Sequence, residues 1–391
     1  MKLKTSILED IGYIRAKFQL ERFKVIIMSL LSLCFICNIS NAKNIKSANQ
    51  TSTLSFTGVS DVHFDPFMGC HFIKRCQMVA KLAIKPISKW DKILINNKEQ
   101  RRQRLLISMD PNLYLLNKTL LNLKQQILKS SASFVVITGD LVGHNLKKNY
   151  QRYFGSNKGY KKFVHKLYQY LHFKLQTATQ NTPLYFVMGN NDGYLGDYVI
   201  NAGKQFFKDL ANDWPTLNNN HKSSEMTRLL SQSGTYSIIS KNNWRLIILN
   251  SNLFYKKIHG DNQEKYAHQA LQWLTKQLNT AQLKQQKVLI FYHIPFGIFP
   301  TKRFSHASKS SLWLPIVNNT YIKLYNKYRK TIKAMIHSHV HRDLFMKAHK
   351  DHKNIMPQYL ISAVSPIFGN RPSFSLFKYK KNQLSCEQFY F

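Results

Sequence analysis

With 391 residues, 44% of them hydrophobic and 13% aromatic, the chain can bury a large core and is neither a disordered tail nor a disulfide-stapled miniprotein. Lys and Arg number 57 against 19 Asp and Glu, a formal net charge of +38. Such a field draws phosphates, nucleic acids or an anionic lipid surface, although a general richness in Lys and Asn produces the same number. There is no zinc-finger or aromatic RNA-binding pattern, so charge alone does not make this a nucleic-acid reader.

The chain opens with a basic stretch ending Arg22-Phe23-Lys24, then an apolar run from Val25 to Ile39 and Ser40-Asn41-Ala42. The run is short for a bilayer span and the small residues make a cleavage pattern, so residues 1–42 read as an export signal, with an uncleaved N-terminal anchor as the other reading. Export places the rest in the periplasm or outside the cell. Cys34 and Cys37 would leave with the leader, and Cys70, Cys76 and Cys386 remain. An oxidising compartment permits a Cys70–Cys76 bridge, with three reduced thiols as the alternative.

From residue 52 to 391 short apolar runs alternate with amphipathic ones, the pattern of a single layered α/β domain. Strands are predicted over Leu54–Val59, Phe134–Thr138, Leu184–Met188, Thr235–Ile239, Arg245–Leu249, Val288–Tyr292, Ile332–Ile336 and Gln358–Ser362. A helix is predicted over Pro111–Lys129, with Asp110 as its N-cap and Leu113, Leu116, Leu120, Leu123 and Leu128 on one face. Further helices are predicted over Asn157–Gln176 and Glu264–Gln286, and helical insertions between Met68 and Ser108 and near Leu195–Leu230. Lys241-Asn242-Asn243 between two strands reads as a hairpin, so the sheet is expected to be mixed.

Metal-ligand residue types stand at the ends of successive predicted strands, where open α/β sheets place their sites. They are Asp61 and His63 in Ser60-Asp61-Val62-His63, Asp140 in Thr138-Gly139-Asp140, Asn190 in Gly189-Asn190-Asn191-Asp192, His293 after an apolar strand, and His339 and His341 in His337-Ser338-His339-Val340-His341. Any one of these alone is weak, whereas five of the eight predicted strand ends carrying such residues are not an expected accident. Mixed carboxylate, amide and imidazole donors suit Zn, Mn or Fe better than Ca.

The ordered set Asp-x-His, Gly-Asp, Gly-Asn-x-Asp, His and His-x-His resembles the calcineurin-like metallophosphoesterases. The wording Ser-Asp-Val-His-Phe-Asp-Pro-Phe, Thr-Gly-Asp-Leu-Val-Gly-His and Gly-Asn-Asn-Asp, with Ser365-Pro366 through Asn370-Arg371-Pro372, is similar to the acid sphingomyelinase-like phosphodiesterases among them. The resemblance implies a four-layer α/β/β/α fold with two face-packed mixed sheets. It also implies two divalent ions bridged by Asp140, one completed by Asp61, His63 and His341 and the other by Asn190, His293 and His339. A hydroxide shared by the ions would be the nucleophile for phosphoric ester hydrolysis.

Two departures bear on the chemistry. Many relatives carry histidine where Asn191 stands, and an amide cannot protonate a leaving group, so Asn191 is expected to hydrogen-bond a phosphoryl oxygen. His144, four residues after Asp140, is then the candidate general acid or phosphate binder. Ser338 replaces a glycine before His339, and the extra His337 is expected to be structural. Asp65 and Asp192 are expected to orient ligands or loops. Gly-Asn-Asn-Asp also resembles endopolyphosphatases, so polyphosphate or nucleotide hydrolysis is the alternative activity. The non-enzyme alternative is a catalytically impaired polyanion-binding protein.

Overall fold

The computed structural model describes residues 53–70, 76–103, 107–214, 224–297, 311–342, 345–348 and 356–391. The expected leader, residues 1–42, lies outside them. Thr53–Phe391 form one compact unit.

Its first strands are short and buried on both faces, as parallel strands between layers must be. They are β1 (Leu54–Val59), β2 (Val135–Ile137) and β3 (Leu184–Phe186), paired in parallel in that order. The second sheet holds β4 (Tyr236–Ser240), β5 (Trp244–Ile248), β6 (Lys287–Phe291), β7 (Ile332–His337), β8 (Phe345–Ala348) and β9 (Met356–Leu360), in the order β4-β5-β6-β7-β9-β8. The hairpin β4–β5 turns through Lys241–Asn243, with Asn242 and Asn243 in the left-handed region.

The sequence reading missed β8 and a C-terminal hairpin, β10 (Ser373–Lys380) and β11 (Gln383–Tyr390), which completes the first sheet as β11-β10-β1-β2-β3. Its turn is Lys381-Asn382, both residues at positive φ, which matches the twist of a tight hairpin without using glycine.

The two sheets meet over aromatic rings. Phe56 of β1 stacks on Phe134 at 4.8 Å and on Phe377 at 4.7 Å, and meets Phe291 of the opposite sheet edge-on at 5.6 Å. Such pairs add about 0.5–1.5 kcal/mol each to the burial itself. At the sheet edges the buried Tyr236 hydroxyl donates to the Phe186 carbonyl and accepts from the Phe186 amide, joining β4 to β3.

The insertion after β1 forms α1 (Gln77–Ile84), α2 (Trp90–Ile95) and α3 (Lys98–Arg101). Cys70 and Cys76 are joined at its start, with a Cα–Cα distance of 5.7 Å. From α3 the buried Gln100 side chain donates to the carbonyls of Asp65 and Met68, fastening this insertion to the loop that carries His63.

The long helix α4 runs over Leu113–Ser130, two residues later than expected. Its cap is Asn112, whose side chain accepts from the Leu115 amide, so Asp110 is released for another task. The buried face includes Leu113, Leu116, Leu120 and Leu123, but ends on Ile127, and Leu128 is exposed. Next come α5 (Leu146–Phe154), α6 (Tyr160–Thr179), α7 (Gln205–Asp213), α8 (Ser224–Ser233), α9 (Gln263–Leu283) and α10 (Pro315–Tyr328). Gln277 of α9 accepts from Ser237 and Arg245, and Tyr321 of α10 reaches Met335, so these two helices cover the second sheet.

Candidate metal centre

The strand tips carry the site on strained backbone. Asp61, His63, Asp140, His339 and His341 all have positive φ, between 44° and 78°. Residues held in this region cost about 1–3 kcal/mol each and persist where surrounding contacts demand them. Here the contacts are backbone hydrogen bonds between tips: the Asp61 amide donates to the Gly139 carbonyl and the His63 amide to the Asp140 carbonyl. Gly139, at φ +98°, passes so close to the β3 tip that a Cβ would lie 2.5 Å from the Gly189 nitrogen.

Asp140 is shared between two groups of donors. One is Asp61, His63 and Asp140, and the other Asp140, His293 and His339; within each, the donor atoms lie within 4.8 Å of one another. His341 joins the first, its Nε2 standing 3.2 Å from Asp61 Oδ1. Asn190 joins the second, its Oδ1 standing 3.0 Å from His293 Nε2. The structure therefore brings all seven expected ligands together.

Tautomers decide what these donors can hold. His63 Nδ1 faces the Val142 carbonyl at 3.1 Å and His293 Nδ1 the Thr138 carbonyl at 2.7 Å. In the neutral ring the nitrogen beside a carbonyl carries the hydrogen, which leaves the lone pair on Nε2. His63 Nε2 then points at Asp140 Oδ2 (3.5 Å), and His293 Nε2 at Asp140 Oδ2 (3.2 Å) and the Asn190 oxygen. Lone pairs facing lone pairs repel unless a cation stands between them. Asp61 Oδ1 and His63 Nε2 are buried with no hydrogen-bond partner, as donors waiting for an ion would be.

The electrostatics agree. Burial would raise the Asp61 carboxyl, yet His341 and His63 hold it well below the usual carboxylate range. Burial likewise opposes ionisation of Asp140, and His293 and His63 overcome it. His293 is pushed up to about 9, because the Asp140 carboxylate outweighs burial, whereas His339 falls to about 3 through burial and the charge on His293.

Residues 54–343 match the calcineurin-like phosphoesterase family. The chain belongs to that family. Among curated relatives, the cyclic GMP-AMP phosphodiesterase of Rattus norvegicus is 27% identical over 217 residues, 53% of this chain and 46% of that protein. The sphingomyelinase phosphodiesterase D of Dictyostelium discoideum is 25% identical over 261 residues, 64% of this chain and 53% of that one. The matched region thus spans about half the length of these relatives. A dimetal phosphatase from Danio rerio shares the fold with a TM-score of 0.51 at 12% identity, over 86% of this chain and 95% of that one.

Around these donor groups the other expected residues take definite places. His144 stacks on His63, ring centroids 3.8 Å apart, and its Nδ1 lies 2.9 Å from Asp110 Oδ1 while its amide donates to Asp110 Oδ2. Against the effect of burial, Asp110 raises the pKa of His144 above the ordinary imidazole value. Asn191 donates its backbone N–H to Asp140 Oδ1 and its side-chain Nδ2–H to Asp140 Oδ2, so the amide assigned to substrate is engaged on the shared aspartate. Asp192 accepts from the amides of Asp140, Leu141 and Gly189 and from the Tyr168 hydroxyl, and so fixes the two loop tips. Asp65 accepts from the Phe67 amide. Ser338 contacts both His293 Nδ1 and the Thr138 carbonyl, and His337 is buried and stacked on Tyr292.

Beside the centre a cavity of about 260 Å³ is lined by residues that include His144, Asn191, Asp197, Lys147, Lys148 and Gln151. Sequence reasoning missed Asp110 and Asp197. Asp110 was hidden by its resemblance to a helix cap, and Asp-Pro-Asn, with a better cap at its third residue, was the signal available. Asp197 lies in Gly196-Asp197-Tyr198, which has no motif of its own.

Proposed function

We propose that this chain is an exported, metal-dependent phosphodiesterase. The observation that carries the reading is Asp140 standing in both donor groups, one carboxylate able to serve two cations. Asp61, His63, Asp140 and His341 would hold one ion, and Asp140, Asn190, His293 and His339 the other. Zn, Mn or Fe bound there would supply Lewis acidity for the phosphoryl oxygens and a hydroxide nucleophile near neutral pH. Asp61 and Asp140 bring the negative charge that retains such ions. Asn191 and Asp192 hold Asp140 in place, a division of labour that leaves proton transfer to His144. Asp110 keeps the His144 Nδ1 protonated and favours the imidazolium, the form able to donate to a departing oxygen.

Phosphodiester hydrolysis of the sphingomyelinase-like kind is the first reading of the substrate, on the motif wording and the curated relatives. A second reading, a nucleotide or polyphosphate, is favoured by Lys147 and Lys148 in the cavity wall beside His144, where they would meet an anionic leaving group. Export rests on the leader pattern and the Cys70–Cys76 bond. Among the described residues no helix is long and apolar enough to cross a membrane. A polyanion-binding role without chemistry would account for the charge but gives no reason for seven convergent donors. The test is hydrolysis of bis-nitrophenyl phosphate, sphingomyelin, a cyclic dinucleotide, ATP and polyphosphate by the ion-loaded protein and by Asp140→Asn. Turnover of one of these by the parent alone supports the reading, and equal turnover by both rejects it.

A further inference from the structure

Asn190 is the least determined of the seven donors, because an amide offers an oxygen on one side and an NH2 on the other. Rotated by half a turn, its Nδ2–H would face the His293 Nε2 lone pair and donate to it, filling the place of an ion with a hydrogen bond. In the structure the amide is not free to turn. Its Nδ2–H donates to Asp197 Oδ1 at 2.7 Å, which leaves Oδ1 facing His293 Nε2 at 3.0 Å. No other acceptor takes that N–H among the described residues.

The chain distorts itself to bring Asp197 there. Tyr198, a bulky residue, sits at φ +56°, where side chains of its kind are rare. The distortion is held from both sides: the Tyr198 amide donates to the Asn190 carbonyl at 3.0 Å, and the Tyr198 carbonyl accepts from the His259 amide at 2.8 Å. The loop is thus tied to the backbone and the side chain of the same asparagine. Asn190 is buried, whereas Asp197 is exposed and lines the cavity beside the centre.

We propose that Asp197 is a positioning residue that selects the Asn190 rotamer presenting oxygen to the cation held with His293 and His339. The inference rests on the two-ion reading above. It follows that losing Asp197 weakens one ion and spares the other, which has no asparagine donor. Partners of metal ligands cost 10–100-fold in affinity when removed, and for an exposed carboxylate the lower end, about tenfold, is expected.

The experiment is calorimetric titration of the metal-stripped full chain with Mn²⁺, which reads each ion without requiring turnover. The parent should take up two ions. Asp197→Ala should bind one of them about tenfold more weakly and the other as the parent does, with an unchanged melting curve. In an Asn190→Asp background both carboxylate oxygens are equivalent, so adding Asp197→Ala should cost nothing there. Parent-like binding by Asp197→Ala, or the same loss in both backgrounds, would overturn the rotamer assignment while leaving the two-ion reading intact. A parent that takes up fewer than two ions would instead reject the reading beneath it.

Discussion

Replacing Asp110 with asparagine isolates the charge behind His144. The two residues meet at 2.9 Å through the imidazole Nδ1 and at 2.8 Å through the His144 amide, and Ser365 donates to the same carboxylate at 3.3 Å. An amide oxygen at position 110 can keep the contact to Nδ1 but carries no charge. Hydrogen bonds to charged groups contribute about 1.5–3 kcal/mol and neutral ones about 1 kcal/mol, so the imidazolium loses roughly 0.5–2 kcal/mol of support. At 1.36 kcal/mol per tenfold, that is about a 2–30-fold fall in rate on the alkaline side of the profile. The sign follows from the raised pKa of His144: the acid form is lost earlier as pH rises, so the alkaline limb of kcat moves to lower pH and the two proteins converge in acid. A nitrophenolate departs without a proton, and an alkoxide does not. The loss should therefore appear with alkyl phosphodiesters and largely vanish with bis-nitrophenyl phosphate. An identical loss with both substrates, or an unmoved alkaline limb, would refute a proton-donating His144.

Other perturbations have equally definite outcomes. Gly139→Ala would set a Cβ 2.7 Å from Gly189 Cα and 2.8 Å from His293 Nδ1 at φ +98°; strain of this kind costs about 1–3 kcal/mol before any clash. It should lower stability in urea by at least that much and weaken Mn²⁺ uptake. His172, packed on Trp214 at 4.6 Å, is depressed by burial from 6.5 to about 4. The unfolded chain therefore binds a proton at a pH where the folded one does not, and stability falls as pH drops from about 6.5 to 4, by about 2 kcal/mol after allowing for partial exposure. His172→Phe should flatten that part of the urea-midpoint profile. Reducing the Cys70–Cys76 bond, which closes a loop of sequence separation 6, should cost about 2 kcal/mol on the chain-entropy account; ion uptake should survive, because no sulfur lies in either donor group.

Much of the fold was legible because the central strands are continuous apolar runs, and β1, β2, β3, β6 and β7 lead directly into residues whose side chains have metal chemistry. Asp61, His63, Asp140, Asn190, His293, His339 and His341 announce themselves through that placement. What was not legible depends on tertiary contact. The β10–β11 hairpin turns at Lys381-Asn382 without a glycine, and its strand-pairing residues are interleaved with serine and lysine, so local pattern gave no strong strand signal. Asp110 satisfies every local rule for a helix cap, and only the better cap Asn112 and the arrival of His144 from 34 residues away reassign it. The contact of the Asn191 amide with Asp140, 51 residues earlier, was likewise not legible, because nothing local describes it. Asp197 acts through a loop that folds back on Asn190, which no spacing rule describes.

Counting bound ions most directly tests the claim that Asp140 serves two of them. The purified parent, dialysed after loading with Mn²⁺ or Zn²⁺ and analysed by plasma emission, should carry two ions per chain and hydrolyse a phosphodiester. Asp140→Asn should carry fewer than two and lose activity by at least about 10³-fold, as expected when the charge clamp around the reacting phosphoryl group is removed. A mutant that hydrolyses as fast as the parent, or a parent that turns over substrate after complete chelation of divalent ions, would contradict the account.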